Sequence, residues 1–353
     1  MNACVLHAVG DLRFEELPVP VPKPGFALIR VAACGVCGSD VPRVFSRGTY
    51  RFPTIIGHEF AGVVSETGAG VEPSLKGCRA AVYPLLACGT CTSCQSGDMI
   101  LCERYDYLGS RSDGGFAEYV CAPVENLTPV PEGLSFEEAA MTEPAAVSLH
   151  ALRRVNLRGG DHVAVFGAGP IGLLAAIWAR ALGAASVTVC DVDPAKVEFA
   201  RALGFDLACN PATQDAVEFV RAHAPRGADV VVEASGSARA LQQGIGAAAK
   251  SGRVALLGNA AGDMGIDADT YGQILRKQLS LSGSWNSEQG DTPRDEWRFT
   301  VESMACGRID VKPLITHRVG LGEVPGAIAM MRDRRERFCK VMYVAGRKAA
   351  DVG

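Results

Sequence analysis

The sequence lacks the features of a nucleic-acid-binding protein or a membrane protein. Its 353 residues include 35 Lys and Arg against 39 Asp and Glu, a net charge of −4, whereas binding of nucleic-acid phosphates needs a basic face. The longest uncharged apolar run, 163–179, is just shorter than a membrane-spanning helix and is interrupted by glycine and proline. This run predicts a buried strand followed by a helix. We therefore expect neither a nucleic-acid partner nor a membrane partner.

A secretion signal is also lacking, because the N-terminal residues contain no basic segment followed by an apolar run. The sequence therefore predicts a cytoplasmic protein, in which cysteines stay reduced. Its thirteen cysteines, an odd number, are accordingly not expected to form a disulfide framework. The sequence contains neither an internal repeat nor a low-complexity tract.

The order of sequence patterns predicts two domains, as does a prior of about 150 residues per domain. To about residue 147, short β-type runs are separated by Gly and Pro, which is typical of an all-β or α+β domain. From His150 onwards, apolar runs alternate with Ala-rich helical stretches, which predicts an α/β domain with a doubly wound parallel sheet. After Trp285 the chain returns to mixed helix and strand.

A glycine-rich segment directly follows the predicted strand 162–166 and begins the next helix. This context favours a dinucleotide site over a glycine-rich turn without a cofactor. In such a site Gly167 makes the tight turn, Gly169 lets the backbone approach a pyrophosphate at the helix N-terminus, and Gly172 permits close helix packing. The predicted cofactor-binding residues of the segment are Gly167, Gly169, Pro170, Ile171 and Gly172.

An acidic residue ends the next predicted strand, 24 positions after the first of these glycines. This residue is Asp191, and Asp193 is a second candidate for the same role. A carboxylate at this point accepts hydrogen bonds from the ribose hydroxyls and repels a 2′-phosphate. The sequence therefore predicts NAD as the cofactor in preference to NADP.

Four cysteines lie close together at intervals of three, three and eight residues: Cys88, Cys91, Cys94 and Cys102. These short spacings fit a closed, tetrahedral zinc site of four thiolates. A thioredoxin-like redox motif needs a strand before it and a helix after it, and that pattern is absent. We therefore predict a structural zinc that holds a loop and does no chemistry.

A second group of metal-ligand residues lies in separate segments: Cys37, His58 with Glu59, and Glu143. One Cys, one His and one carboxylate leave a fourth zinc position open to water or an alcohol. Taken alone, each has a simpler interpretation, because a lone Cys is usually a core residue and a lone His is usually a hydrogen-bonded structural residue.

The chain resembles the zinc-dependent medium-chain alcohol and polyol dehydrogenases along essentially its whole length. The resemblance is carried by C-G-S-D at 37–40, G-H-E at 57–59, the four cysteines and the nucleotide-binding pattern, in this order. It is strongest in 37–45, 105–119 and 274–286, where it is closest to polyol dehydrogenases of the galactitol-1-phosphate 5-dehydrogenase type.

This resemblance implies a GroES-like, β-rich catalytic domain at 1–149 and 286–353, with a structural-zinc lobe at 88–102. A Rossmann NAD-binding domain at 150–285 is inserted between the two parts. The active site is expected between the domains. A homodimer or homotetramer is also implied, with the apolar strand 279–283 available for pairing.

The resemblance further implies Cys37, His58 and Glu143 as ligands of a catalytic zinc, so that each chain holds two zinc ions. Glu59 is expected as a nearby carboxylate that can exchange onto the metal, and which of the two carboxylates binds the resting metal stays open. Cys34, three residues before Cys37, is interpreted as a packing residue.

Ser39 is placed two residues after the first ligand, where its hydroxyl can take the proton of the alcohol; otherwise it is an ordinary turn serine. Some family members continue this relay with a histidine at the position that Pro42 occupies here. The remaining histidines are expected to be structural: His7, His150, His162, His223 and His317.

The class of substrate is inferred from four arginines: Arg43, Arg47, Arg51 and Arg111. Guanidinium groups bind phosphate in a bidentate manner, which favours a phosphorylated polyol, but solvated surface arginines explain the same pattern. Ser112 replaces an arginine of the galactitol-phosphate relatives, which leaves a neutral polyol, an amino polyol or a cyclitol open.

Zinc as a Lewis acid together with NAD predicts reversible oxidation of a secondary alcohol. The resemblance implies that this alcohol belongs to a polyol or polyol phosphate and that the product is a ketose. The resemblance places Trp285 near the substrate, with core packing as the alternative. Other interpretations are a dehydrogenase of an amino alcohol such as threonine or of a cyclitol, and a catalytically silent NAD-binding protein.

Overall fold

The computed structural model describes residues 1–260, 262–290 and 295–347. The strands in these ranges are β1 (Asn2–Ala8), β2 (Asp11–Glu16), β3 (Phe26–Val36), β4 (Thr54–Ile55), β5 (Glu59–Thr67), β6 (Arg79–Val82), β7 (Leu85–Leu86), β8 (Asp106–Tyr107), β9 (Tyr119–Pro123), β10 (Leu127–Pro129), β11 (His162–Phe166), β12 (Ser186–Cys190), β13 (Ala208–Cys209), β14 (Ala228–Glu233), β15 (Ala248–Leu256), β16 (Ser280–Gly283), β17 (Ile315–Val319) and β18 (Lys340–Val344).

The α-helices in the same ranges are α1 (Asp40–Pro42), α2 (Thr92–Gln95), α3 (Phe136–Ala140), α4 (Thr142–Arg154), α5 (Pro170–Ala181), α6 (Pro194–Ala202), α7 (Ala216–His223), α8 (Ala238–Ala247), α9 (Ala268–Lys277), α10 (Glu296–Ala305) and α11 (Val324–Asp333). A π-helical turn, Arg43–Arg47, directly follows α1. Every helix in the described ranges is too short or too polar to span a bilayer.

The chain forms two compact units. The first contains residues 1–143, 288–307 and 311–353, and the second contains 144–287 and 308–310. The division at 143/144 falls within α4, six residues before the predicted boundary at 149/150. The division at 287/288 lies two residues after the predicted boundary at 285/286.

The first unit is built on a mainly antiparallel sheet of seven strands, in the order β10-β6-β5-β3-β18-β17, with β9 also paired to β3. Its core contains the buried side chains of Ile29, Phe60 and Phe116. Because β5 and β18 both run antiparallel to β3, both strands begin beside the end of β3. The topology therefore brings the residues after β3 together with the first residues of β5 and β18.

The second unit is a six-stranded parallel sheet in the order β13-β12-β11-β14-β15-β16. Its inner strands are apolar and mostly buried, as in Ala228–Glu233, because helices connect the parallel strands and cover the sheet, whereas the edge strand β16 is largely exposed. The strand order reverses between β11 and β14, which is the usual ligand position of such sheets. This topology confirms the predicted doubly wound fold, with the run 163–179 forming most of β11 and α5.

Candidate metal and dinucleotide sites

The four closely spaced cysteines form one group whose sulfurs all lie within 4.8 Å of one another. The Sγ of Cys91 lies 3.4 Å from that of Cys94 and 3.9 Å from that of Cys102. Thiolates at the corners of a zinc tetrahedron are about 3.8 Å apart, whereas a disulfide bond is about 2.0 Å long. All thirteen cysteines are free thiols. The geometry therefore fits a closed thiolate site for one zinc ion.

Donor groups lie beside these sulfurs, and at Cys88 they favour the charged form. Hydrogen bonds from the backbone and side chain of Thr90 lower the pKa of the Cys88 thiol to about 5. The Arg104 guanidinium lies 3.9 Å from Cys88 Sγ, and the Arg104 amide donates to Cys102 Sγ at 3.4 Å. In a zinc site, four thiolates would leave an excess of negative charge over one divalent ion, and these donors would disperse it. The sequence analysis did not identify Arg104.

The second metal-ligand group consists of Cys37, His58 and Glu59, whose ligand atoms lie within 4.8 Å of one another. Cys37 directly follows β3, and Glu59 begins β5 opposite Gly35 of β3. Gly57, just before the histidine, has a φ of 96°, and a Cβ there would lie 2.8 Å from the Phe116 ring. The strand pairing and this glycine together fix the three side chains in one place.

Cys34 is fully buried in the apolar core, as its packing interpretation predicted. A Cβ on Gly57 would approach its sulfur to 3.0 Å. For Cys37, burial and then the Glu59 carboxylate raise the pKa of the thiol to about 11. A bound divalent cation reverses this effect, because it stabilises the thiolate.

Glu143, near the start of α4, lies outside this three-residue group. Its Oε1 accepts a hydrogen bond from the Tyr107 hydroxyl at 3.2 Å. The Tyr107 ring also lies 5.8 Å from that of His58. Burial raises the pKa of the Glu143 carboxyl to about 8. Of the two candidate carboxylates, Glu59 is therefore the one grouped with Cys37, and Glu143 stands beside the group.

A buried ion pair holds the Glu59 carboxylate. Lys340 Nζ, at the start of β18, lies 2.8 Å and 2.6 Å from its two oxygens. Although burial alone lowers the pKa of Lys340, the Glu59 carboxylate and the Cys37 thiol raise it on balance. The two partners are 281 residues apart in the sequence. No local pattern could have predicted this contact.

Asp40 is a second buried carboxylate that the sequence analysis did not assign. Its Oδ2 accepts a hydrogen bond from the Cys37 amide at 3.0 Å, and its Oδ1 lies 3.6 Å from His58 Nδ1. A carboxylate next to a metal-binding imidazole orients the ring. The Nδ1 atom is buried without a hydrogen-bond partner. The sequence signal for Asp40 was its place in C-G-S-D, between Ser39 and Val41.

The predicted substrate arginines have different surroundings. Arg43 forms an ion pair with the buried Asp40. Arg51 pairs with Asp113 at 3.2 Å, and Arg47 is exposed at the end of its helical turn. The structure thus directs two of the four guanidinium groups to carboxylates of the protein itself.

Arg111 lies between two tyrosine rings, with its Cζ 3.9 Å from the centroid of Tyr50 and 4.2 Å from that of Tyr105. Trp285 is 51% exposed, so the core-packing interpretation of this residue is wrong. Ser39 precedes α1, and its side chain makes no capping hydrogen bond.

The remaining histidines lie away from the two metal-ligand groups. His7 and His317 contact Glu15 and Glu336, and His162 contacts Ser186. His223 contacts a backbone carbonyl within its own helix, and His150 is buried in α4.

One of the three glycines in the turn between β11 and α5 has open space around it. Gly167 has a φ of 106°, and a Cβ there would lie 2.8 Å from Ser235 N. A Cβ on Gly172 would lie 1.8 Å from the carbonyl oxygen of Gly167. In contrast, a Cβ on Gly169 would meet no atom within 4 Å. Gly169 therefore faces open space at the N-terminus of α5.

The two neighbouring residues complete this turn. Pro170 is the first residue of α5, a position that needs no backbone donor. The carbonyl of Ile171 accepts a hydrogen bond from Ser148 Oγ at 3.0 Å. Ser148 therefore ties the start of α5 to α4.

Asp191 lies at the end of β12 beside this turn. Its Oδ2 accepts a hydrogen bond from the Ala168 amide at 2.8 Å, and Lys196 Nζ is 3.8 Å from the same oxygen. Asp193 instead caps α6 by accepting from the Ala195 amide at 2.9 Å. A pocket lined in part by Gly167, Asp191, Val192, Ser235 and Arg239 opens next to Asp191.

Two protein-family descriptions match the chain. Residues 23–132 match the "Alcohol dehydrogenase GroES-like domain", and residues 170–303 match "Zinc-binding dehydrogenase". The first match lies within the first compact unit and covers the four cysteines. The second begins at the glycine-rich turn.

Similar proteins extend over nearly the whole length. Galactitol 1-phosphate 5-dehydrogenase of Escherichia coli (strain K12) is 33% identical over 320 residues, which cover 90% of this chain and 92% of that protein. L-threonine 3-dehydrogenase of Rhizobium johnstonii is 33% identical over 326 residues, with 91% and 92% covered. Sorbitol dehydrogenase of Bacillus subtilis (strain 168) is 31% identical over 355 residues, with 98% of both covered.

Two solved structures have the same fold. The crystal structure of galactitol-1-phosphate dehydrogenase from Escherichia coli has a TM-score of 0.91 and 31% identity, and covers 98% of this chain and 100% of that chain. A structure described as a putative zinc-binding dehydrogenase from Sinorhizobium meliloti 1021, bound to NADP, has a TM-score of 0.88 and 30% identity, with 97% and 98% covered.

These matches confirm the resemblance found in the sequence, including the GroES-like and Rossmann parts of the fold. They also confirm the prediction that the protein is an enzyme, in preference to a catalytically silent binding protein. The chain belongs to the zinc-dependent medium-chain alcohol and polyol dehydrogenases, which are oxidoreductases that act on alcohol donors.

Proposed function

We propose that the protein catalyses the reversible, NAD-linked oxidation of a secondary alcohol in a polyol or polyol phosphate to a ketose. The observation that carries the proposal is the buried group of Cys37, His58 and Glu59, with ligand atoms within 4.8 Å of one another. A thiolate, an imidazole and a carboxylate are a donor set suited to an open zinc site. The four cysteines at 88–102 would hold a second, structural zinc.

The open site would hold its metal through Cys37 and His58 together with a carboxylate. Glu59 is supported by its place in the group, and Glu143 by the family resemblance. The zinc would supply a Lewis acid that stabilises negative charge on the substrate oxygen. Asp40 places a negative charge 3.6 Å from His58 Nδ1, and Lys340 would offset the charge of Glu59 when that carboxylate is not bound to the metal.

Residues around this group would accept the proton of the reacting hydroxyl and bind the other hydroxyls of the substrate. Ser39 would take the proton of the reacting hydroxyl and release its own, because its side chain follows Cys37 closely and is not used to cap a helix. Pro42 offers no side-chain group to continue the relay, so Ser39 would release the proton without a further side chain at position 42. Tyr107 and Glu143 provide a donor and an acceptor for a neighbouring hydroxyl of the polyol.

The NAD cofactor would bind to the second unit. Open space at Gly169 accommodates the pyrophosphate at the N-terminus of α5. Asp191 would accept hydrogen bonds from the ribose hydroxyls in place of the Ala168 amide, and it repels the 2′-phosphate of NADP. The NADP in the Sinorhizobium meliloti relative supports a nicotinamide dinucleotide in this fold, and Asp191 supports NAD.

The proposal includes a cytoplasmic homodimer or homotetramer. Strand β16 ends the parallel sheet, and its Leu281 is 36% exposed, which supports pairing of two copies along this edge. Reduced thiols at the four-cysteine site suit a cytoplasmic location.

The test is NADH formation with galactitol, sorbitol, galactitol 1-phosphate and L-threonine, with NADP in parallel assays. The proposal predicts turnover of a polyol or its phosphate with NAD, and loss of turnover after removal of zinc by a chelator. Turnover of L-threonine alone would replace the polyol by an amino alcohol, the class on which the Rhizobium johnstonii relative acts. Turnover that survives complete removal of zinc would contradict the mechanism.

A further inference from the structure

Arg111 differs from its neighbouring arginines because no carboxylate balances its charge. Arg43 and Arg51 are ion-paired with Asp40 and Asp113. Within the described part of the chain, no ion pair includes Arg111. Its guanidinium is instead stacked between Tyr50 and Tyr105, at 3.9 Å and 4.2 Å from the ring centroids.

Stacking of this kind holds the half-buried guanidinium in place. The ring faces attract the cation but accept no hydrogen bonds in the guanidinium plane. The Nε atom of Arg111 is buried and has no hydrogen-bond partner, and the same is true of the hydroxyl of the next residue, Ser112. Two adjacent polar groups thus lack a partner within the protein.

The segment that carries these groups is fixed to the metal-ligand group. A Cβ on Gly109 or Gly114 would lie 2.2 Å or 2.1 Å from the carbonyl oxygen of Gly57, the residue before His58. The Gly115 amide donates to that same oxygen at 2.7 Å. The loop from 109 to 115 therefore packs on the backbone of the histidine ligand.

A row of rings also connects Arg111 with the proposed reaction site. Tyr105 contacts Tyr107 edge-on, with 6.3 Å between the centroids. Tyr107 in turn lies 5.8 Å from His58 and donates to Glu143. Two tyrosine rings therefore link Arg111 with His58.

We propose that Arg111, assisted by Ser112, binds a terminal oxyanion of the substrate. Phosphate and carboxylate groups both accept two parallel hydrogen bonds from a guanidinium edge, and both neutralise its charge. The substrate would then be a polyol that carries an anionic end and not a neutral polyol. This inference rests on the proposed function and specifies the substrate class of the same site.

The test compares galactitol, galactitol 1-phosphate and galactonate as substrates of the zinc-loaded enzyme with NAD. The phosphate and the carboxylate at the chain end distinguish the two possible oxyanions. Arg111→Gln is expected to lower kcat/KM for the preferred anionic substrate by about tenfold or more, mainly through KM. The same variant should leave kcat/KM for neutral galactitol within about twofold of wild type.

The matched control is Arg332→Gln. Arg332 also stacks on an aromatic ring in the first unit, with its Cζ 4.2 Å from the Phe45 centroid, but it is paired with Asp333. This variant should leave the ratio of anionic to neutral substrate unchanged. Arg111→Lys keeps the charge but loses the paired donors, so it should recover part of the lost affinity.

Competition by inorganic phosphate against galactitol gives a second measurement, on the wild-type enzyme. Competitive inhibition in wild type, weakened in Arg111→Gln, is expected. If Arg111→Gln does not fold, a wild-type preference for an anionic substrate together with phosphate competition supports the inference, and the absence of both overturns it.

Equal losses for neutral and anionic substrates in Arg111→Gln, or equal effects of the two variants, would also overturn the inference. Wild-type oxidation of neutral polyols with no preference for an anionic end would do the same and leave the proposed function intact. Failure to oxidise any polyol would instead remove the proposed function.

Discussion

Lys340 Nζ lies within 2.8 Å of both carboxylate oxygens of Glu59, and the two side chains are 3% and 1% exposed. The pair joins the first residues of β18 and β5 across the end of β3, and Cys37 is the residue that directly follows β3. It therefore serves both the stability of the first unit and the charge balance of the metal-ligand group.

Removal of one partner of this pair is expected to destabilise the protein strongly. Lys340→Met leaves Glu59 buried without its counter-charge, which costs about 3–5 kcal/mol of the free energy of unfolding. Lys340→Met combined with Glu59→Gln should recover much of that loss. Denaturant unfolding of the two single variants and the double variant measures the coupling, and additive losses would show that the pair does not act as a unit.

The four-cysteine group is expected to account for one zinc ion per chain. Cys91→Ser should lower the zinc content by one ion and lower the melting temperature, because the fourth thiolate of a closed site is lost. Cys306→Ser is the matched control, since Cys306 is exposed and lies outside both metal-ligand groups. Zinc analysis that gives the same content for both variants would contradict the assignment.

The two aspartates after β12 are expected to have different roles. Asp191→Ala should lower kcat/KM for NAD by at least about tenfold and raise the relative activity with NADP, because a ribose acceptor and a negative charge are removed. Asp193→Ala should instead cost about 1 kcal/mol of stability through loss of the α6 cap, with cofactor preference unchanged. Initial rates with both cofactors, together with thermal unfolding, separate these outcomes.

Tyr107 is expected to act on turnover and not on metal binding. Tyr107→Phe keeps the ring beside His58 and removes the hydroxyl that donates to Glu143. We expect kcat/KM for the polyol to fall by about tenfold with zinc content unchanged. If kcat/KM stays at the wild-type value, the hydroxyl does not contribute to substrate binding or turnover.

Local patterns allowed much of the architecture to be predicted. The apolar runs from 163 onwards, the glycine spacing at 167–172 and the cysteine spacing at 88–102 each reflect a contact within a short segment. The doubly wound sheet and the family are confirmed. The site residues and the domain boundaries remain predictions.

Contacts between distant segments could not be predicted in the same way. In the sequence, Lys340 is only the polar first residue of an apolar strand. It contacts Glu59 because β18 pairs with β3. The stacking of Arg111 likewise depends on Tyr50, which lies in another segment of the chain. In each case sheet pairing or loop packing determines the contact partner, and no sequence motif of fixed spacing indicates it.

The most direct test of the account is the zinc content of purified wild type and Cys37→Ser, measured together with polyol-dependent NADH formation. Cys34→Ala is the matched control, because Cys34 is a buried packing residue only three positions away. The account predicts two zinc ions and turnover in wild type and in Cys34→Ala, and one zinc ion without turnover in Cys37→Ser. Two zinc ions and undiminished turnover in Cys37→Ser would contradict it.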